Sequence, residues 1–226
     1  MPSVLPFDEL NLLHEKKGKK RSIPIKKWFS EMRLPEQEIK DREEFAEELQ
    51  DRIFEAMAMI YTVLEMNRLG DLFSVKNMLA SAIVLLLNKY TFPDSQMLDY
   101  INDYANGFVD TTVENVTQLF AEPESEVETQ SAYWLSEDRA IFNAENETNT
   151  LFNYEQFRQS KADGLLYKQW QTMKDERVRL THVEVDDAII PIDELFHVGD
   201  CYMRFPRDPM GGAEEIVNCR CSCRYF

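Results

Sequence analysis

After Gly164 the apolar residues of this chain change their spacing, and that change restricts the folds open to it. Before it, Phe45, Leu49, Ile53, Met57, Ile60 and Leu64 recur every three or four residues with charges between them, as on one face of an amphipathic helix. After it, LLYKQWQTM alternates, which sets Leu166, Lys168, Trp170 and Thr172 on one side of a strand. The two periods, in this order, predict an α+β chain: a mostly helical N-terminal part, then a small α+β C-terminal module with short strands.

The punctuation subdivides it further. Residues 1–40 carry the basic cluster KKGKKR (16–21), followed by SIPIKKWFSEMRLPEQEI with its two prolines, and read as a basic N-terminal arm. Residues 41–120 read as a helical domain of three segments, 41–69, 71–90 and 91–120. The third starts at Pro93 with Asp94 or Ser95, and Gly107 is a candidate break. AEPESEVETQS (121–131) is acidic and contains a proline, the composition of a linker. Residues 132–226 form the last domain. Its long helix ends near Gly164, with Ile141, Ala144, Thr148, Leu151 or Phe152, and Phe157 as the apolar stripe. AIIPID, CYMRF and CRCSCRYF are strand candidates, separated by the turns HVGD and PRDPMGG.

Charge narrows the function. The net charge of −16 disfavours a general nucleic-acid binder, because an acidic surface repels phosphate. The first 28 residues, with seven Lys/Arg against three Asp/Glu, are the exception and could touch DNA or an acidic face locally. No secretory signal pattern opens the chain, and the apolar run LASAIVLLL (79–87) falls short of the ~20 residues of a membrane span. No membrane association is expected. Four cysteines confined to 201–223 do not make a secreted disulfide framework, so a reducing interior is expected. For the same reason the N-x-T matches at Asn115 and Asn146 read as chance.

Two stretches could carry chemistry. If DERVRLTH (175–182) is helical, Asp175, Arg179 and His182 share a face and form, with Arg177, a structural polar cluster. In NCRCSC, Cys219, Cys221 and Cys223 alternate and would share one side of a strand. Three uses remain open: packing as small apolar groups, a disulfide or redox role, or structural zinc held by His182, Cys219 and Cys221 with Cys201 or His197. No Walker loop, G-x-G-x-x-G, H-E-x-x-H or G-x-S-x-G occurs, and no catalytic residue is assigned. A competing class is an ADP-ribosyltransferase-like or nuclease-like effector using Arg177 or Arg179, His182 and Glu184, and a third is a zinc-stapled adaptor.

The ordered set RAIFNAENETNTLFN, YKQWQTMKDERVRLTH, IPIDELFHVG and FPRDPMGGAEEIVNCRC resembles the phage Mu protein F-like domain of minor head (head morphogenesis) proteins of tailed phages. The matching positions are Glu145, Asn149, Lys168, Trp170, Asp175, Arg177, Arg179, His182, Pro191, Asp193, Phe196, Pro206, Asp208, Asn218, Cys219 and Cys221. The chain departs from the pattern at VDDAII, where Asp186-Asp187 stands in place of a glycine turn, and at Arg207, where a glycine often precedes Asp-Pro. The resemblance implies a low-copy virion component, assembled in the host cytoplasm, that associates with the portal and meets scaffold or major capsid protein. It also implies an effect on DNA packaging or ejection. Some relatives carry a toxin domain after this module; with the sequence ending at Phe226, no such payload is expected. No cofactor is expected, beyond the zinc left open above.

Overall fold

A computed structural model describes residues 4–16, 28–121 and 125–226. The chain forms two compact units: Met1–Ser22 with Phe45–Ala144, and Ile23–Glu44 with Glu145–Phe226. These limits differ from the boundaries read in the sequence, because two long helices each contribute to both units. The basic cluster, apart from the backbone of Lys16, lies outside the described residues. So do 122–124 of the expected linker, but Ala121 ends one helix and 125–131 start the next.

The first unit is helical. It contains α1 (Phe7–Lys16), the 45–65 part of α2 (Glu36–Glu65), α3 (Leu72–Leu87), α4 (Ser95–Ala121), α5 (Ser125–Trp134) and the start of α6 (Glu137–Ala162). The apolar stripe of α2 is buried as its period requires: Phe45, Leu49, Ile53, Met57 and Ile60 have no exposed surface. Asp94 caps α4, its Oδ1 accepting from Met97 N at 2.9 Å. The expected break at Gly107 does not occur, and α4 runs through it; one helical glycine costs only ~1 kcal/mol, which the packed stripe offsets. The expected long helix ends near Gly164, at Ala162, but begins only at Glu137, because SAYW closes the separate α5. Ser136 Oγ accepts from Arg139 N at 3.2 Å and starts α6 afresh after α5. By length and composition the 19 residues Leu69–Leu87 suffice to cross a membrane, more than the run 79–87 suggests. Val75, Leu79, Ile83 and Leu87 are buried and α3 packs on α4, although only 28 % of an 18-residue window of that stretch is buried.

The described part of the expected arm is packed. Leu10 of α1 is buried, and Phe7 meets Phe54 at 5.2 Å between ring centroids. Trp28, Phe29 and Met32, which belong to the second unit, are buried.

The second unit confirms the α+β reading. Its sheet is antiparallel, in the order β2–β1–β5, with β1 (Tyr167–Gln171) between β2 (Ile189–Pro191) and β5 (Ser222–Tyr225). Trp170 lies opposite Cys223, and Lys168 opposite Tyr225. A hairpin of β3 (Phe196–Val198) and β4 (Cys201–Met203), and two short helices, α7 (Leu180–Glu184) and α8 (Ala213–Ile216), complete it. Trp170, Phe196, Val198, Met203 and Phe205 fill the core together with Cys219, Cys221 and Cys223. Of the four residues expected on one side of β1, Lys168, Trp170 and Thr172 are buried, whereas Leu166 is exposed.

Candidate functional site

The three cysteines are buried as expected, but not as one strand face. Only Cys223 lies in β5; Cys219 and Cys221 belong to the irregular segment that enters it. Two asparagines hold that segment. Asn149 Nδ2 donates to Cys219 O at 3.0 Å and to Cys221 O at 3.3 Å, and Asn153 Nδ2 donates to Cys221 O at 3.1 Å and Pro206 O at 2.9 Å. They sit four apart on α6, so both amides face the same loop. Arg42 lies behind them without exposed surface, donating to Asn149 Oδ1 at 2.5 Å, Asn153 Oδ1 at 3.0 Å and Gln156 Oε1 at 3.0 Å.

His182, on α7, closes against this segment. Its Nδ1 lies 3.4 Å from Cys221 Sγ and 3.6 Å from Cys219 Sγ, and its Nε2 lies 3.0 Å from Glu215 Oε2 on α8. Thr181 Oγ1 donates to the same carboxylate oxygen at 2.8 Å. The Trp170 ring stands edge-on to the imidazole, 5.5 Å between centroids. His182, Cys219 and Cys221 form a buried donor group with all three ligand atoms within 4.8 Å of one another. Burial opposes ionisation of Cys219, yet its hydrogen bonds with Cys221 and His182 prevail and hold its pKa well below the ordinary thiol range. Cys221 is pushed well above that range by its bond to Cys219 and by burial. Burial lowers the pKa of His182, but the Cys219 partnership outweighs it and the net direction is upward. The chemistry on offer is that of convergent soft donors, because burial keeps substrates from the thiols.

The other predicted residues go elsewhere. Residues 175–179 are not helical, so Asp175, Arg179 and His182 do not share a helical face. Asp175 Oδ1 instead accepts from Arg177 N at 3.0 Å, a local turn that competes with helix, and Lys174 takes the left-handed φ of 56°. Asp175 also accepts from Arg177 and from Arg220 Nη2 at 2.5 Å, while Arg179 donates to Val217 O. The expected polar cluster is therefore three separate arrangements. Cys201 is not among the metal-competent donors; its Sγ accepts from Gly212 N at 3.1 Å. His197 stacks on Tyr202 at 4.7 Å. Lys168 is fully buried, donating to Arg204 O at 2.6 Å between the faces of Phe157 and Phe196. Asp208, also without exposure, accepts from Arg204 N at 2.8 Å and Nε at 2.7 Å. Asn218 holds φ at 58°, and its N–H donates to Asn146 Oδ1 at 2.9 Å.

Both departures from the family pattern have a structural account. Asp187 and Arg207 take left-handed φ values of 61° and 65°, the conformation a glycine would supply. Arg207 adds bonds a glycine cannot make, to Thr150 Oγ1 at 2.8 Å and Ile216 O at 2.6 Å. A cleft of about 680 Å³ in this unit is lined by Arg33, Glu38, Phe152, Gln171 and Tyr225, among others, and not by Arg177, Arg179, His182 or Glu184.

The site thus defines a class first: a compact α+β module whose last strand is sealed by a His–Cys–Cys group resting on buried amides. Residues 114–224, just under half of the chain, match the family described as Phage Mu protein F like protein, and this region is a Mu F-like domain. The match supports a phage head morphogenesis protein in general terms, a component of the virion. Neither the curated proteins nor the solved structures provide a further match.

Proposed function

We propose that this protein is a non-catalytic minor head protein that joins the procapsid at the portal, with scaffold or major capsid protein as neighbours, and that influences packaging or ejection of the genome. The Mu F-like match over residues 114–224 carries this reading. Two features of the chain support it. The first unit leaves large apolar side chains in solvent, Phe73 and Leu85 on α3 and Phe92 beyond it, with exposures of 71, 69 and 81 %; we take them as the contacts offered to a protein partner. The charge of −16 keeps the chain from adhering to packaged DNA. Local DNA contact is left to the basic residues 16–21.

The test is co-purification with the portal protein of the same genome, with scaffold and major capsid protein as alternative baits. Wild-type protein is retained by the portal, and Phe73→Glu with Leu85→Glu weakens retention about tenfold, ~1.4 kcal/mol. No retention of the wild type removes the portal role, and unchanged retention of the double variant removes this surface. Titration with NAD and with RNA gives no binding and no turnover; a response to either reinstates an effector enzyme.

A further inference from the structure

We infer that His182, Cys219 and Cys221 bind one zinc ion, a structural centre that staples α7 to the segment entering β5. This goes beyond the head role proposed above and does not depend on it.

The donor geometry comes first. Zinc–sulfur bonds of about 2.3 Å and zinc–nitrogen bonds of about 2.0–2.1 Å at tetrahedral angles place sulfur and nitrogen about 3.6 Å apart. The two observed separations are 3.4 and 3.6 Å. Two of the three donor separations therefore already match edges of one coordination tetrahedron, and all three donors, from two remote stretches of chain, lie within 4.8 Å of one another.

The carboxylate behind the ring is a second, independent feature. Glu215 Oε2, 3.0 Å from His182 Nε2, accepts that N–H and leaves the Nδ1 lone pair directed at the two sulfurs. Thr181 steadies the carboxylate at 2.8 Å. A carboxylate on the far nitrogen is the outer-shell support that fixes the tautomer and orientation of metal-bound histidines. The loop is equally fixed, since Asn149 and Asn153 hold the carbonyls of Cys219 and Cys221. That anchoring gives the C-x-C spacing a defined bite without a regular strand.

The donor set selects the metal. Two thiolates and an imidazole are soft ligands that exclude calcium and magnesium and suit a tetrahedral d¹⁰ ion. A dipositive ion also neutralises two buried thiolates, which would otherwise be costly to keep ionised. Three protein donors leave one position for water. A disulfide is the weaker use of these sulfurs, because cysteines two apart in an extended segment are poorly placed to bridge, and all four thiols are free.

Elemental analysis of the full chain, purified without chelators or a metal-affinity tag, tests the assignment. About one zinc per chain is expected. After its removal, added Co²⁺ gives thiolate-to-cobalt charge-transfer absorption that zinc abolishes. Cys221→Ser loses the ion, Cys201→Ser keeps it, and Glu215→Gln weakens binding about 10–100-fold. Should Cys221→Ser fail to fold, the cobalt titration of the wild type decides alone. A folded wild type with no stoichiometric metal and no cobalt–thiolate band overturns the inference, as does zinc retained by Cys221→Ser and lost from Cys201→Ser. Metal content is read without the portal, so its failure is separate from failure of the head role.

Discussion

Asn149 carries more of the fold than its size suggests. Its amide oxygen serves the guanidinium of Arg42, which burial has brought down to about 10, and its amide nitrogen serves two cysteine carbonyls. Asn149→Ala takes from Arg42 one of its three acceptors and from Cys219 O its amide donor, while Asn153 still serves Arg42 and Cys221 O, and we expect a loss of about 2 kcal/mol in urea unfolding. A loss below about 0.5 kcal/mol would show that the network relaxes without it. Lys168 gives a pH test. Burial lowers its pKa to about 8 from 10.5, so between these values the unfolded chain holds a proton that the folded chain does not. Stability from this group therefore rises with pH across that window and is flat below it, by up to about 3 kcal/mol. The difference in unfolding free energy between wild type and Lys168→Met, followed from pH 7 to 10.5, reads it directly; a difference independent of pH would refute the assignment. Lys168 and Trp170 are legible in the sequence because strand alternation places them side by side. Arg42 and Asn153 are not, since periodicity scores apolar residues and these are polar groups satisfied across 111 residues of chain. The only local sign is the recurrence of Asn146, Asn149, Thr150 and Asn153 at helical spacing.

At the scale of elements, the sequence is most informative where an apolar period runs long and least where side chains compete with the backbone. The α2 stripe and the strand character of 167–171 follow from spacing alone. Residues 175–179 do not: Asp175 closes an Asx turn on the Arg177 N–H and Lys174 before it takes a left-handed φ of 56°, and the helix starts only at Leu180. Cys219 and Cys221 alternate like strand residues yet stay out of β5, because the amides of Asn149 and Asn153 take up carbonyls that a ladder would use. The β3–β4 hairpin links its strands through Gly199 and Asp200, with φ of 57° at the glycine, the position where such two-residue turns require it. A side chain there would meet Glu215 Oε1, the carboxylate behind His182. Gly199→Ala should therefore cost about 1–3 kcal/mol and disturb His182 in the same step. Thermal unfolding measures the cost, and the His182 imidazole resonances report the displacement. An unchanged Tm with unmoved resonances would separate the turn from the site.

For the whole molecule, the consequential observation is that the second unit is discontinuous in sequence. Residues 132–226, the segment the sequence marks off as a domain, omit Ile23–Glu44, which belongs to the same unit. That stretch supplies the buried Trp28, Phe29 and Met32, the Arg42 that holds Asn149 and Asn153, and Glu31, 3.1 Å from Arg177. It also supplies Arg33, 2.9 Å from Asp187. The exposed ion pairs are each worth at most about 1 kcal/mol, so the aromatic burial and the Arg42 network dominate what excision removes. Truncation at 132 also leaves Asn149 and Asn153 buried without their guanidinium donor. Against a typical domain stability of about 5–15 kcal/mol, losing several buried contacts at once is enough to abolish cooperative folding. A 132–226 fragment is accordingly expected to lack a cooperative thermal transition and dispersed amide resonances. Adding a peptide of residues 23–44 should restore both, saturating near one equivalent. A fragment that melts cooperatively without the peptide would place the folding information of this module wholly within residues 132–226, and reduce the 23–44 segment to a covering strap.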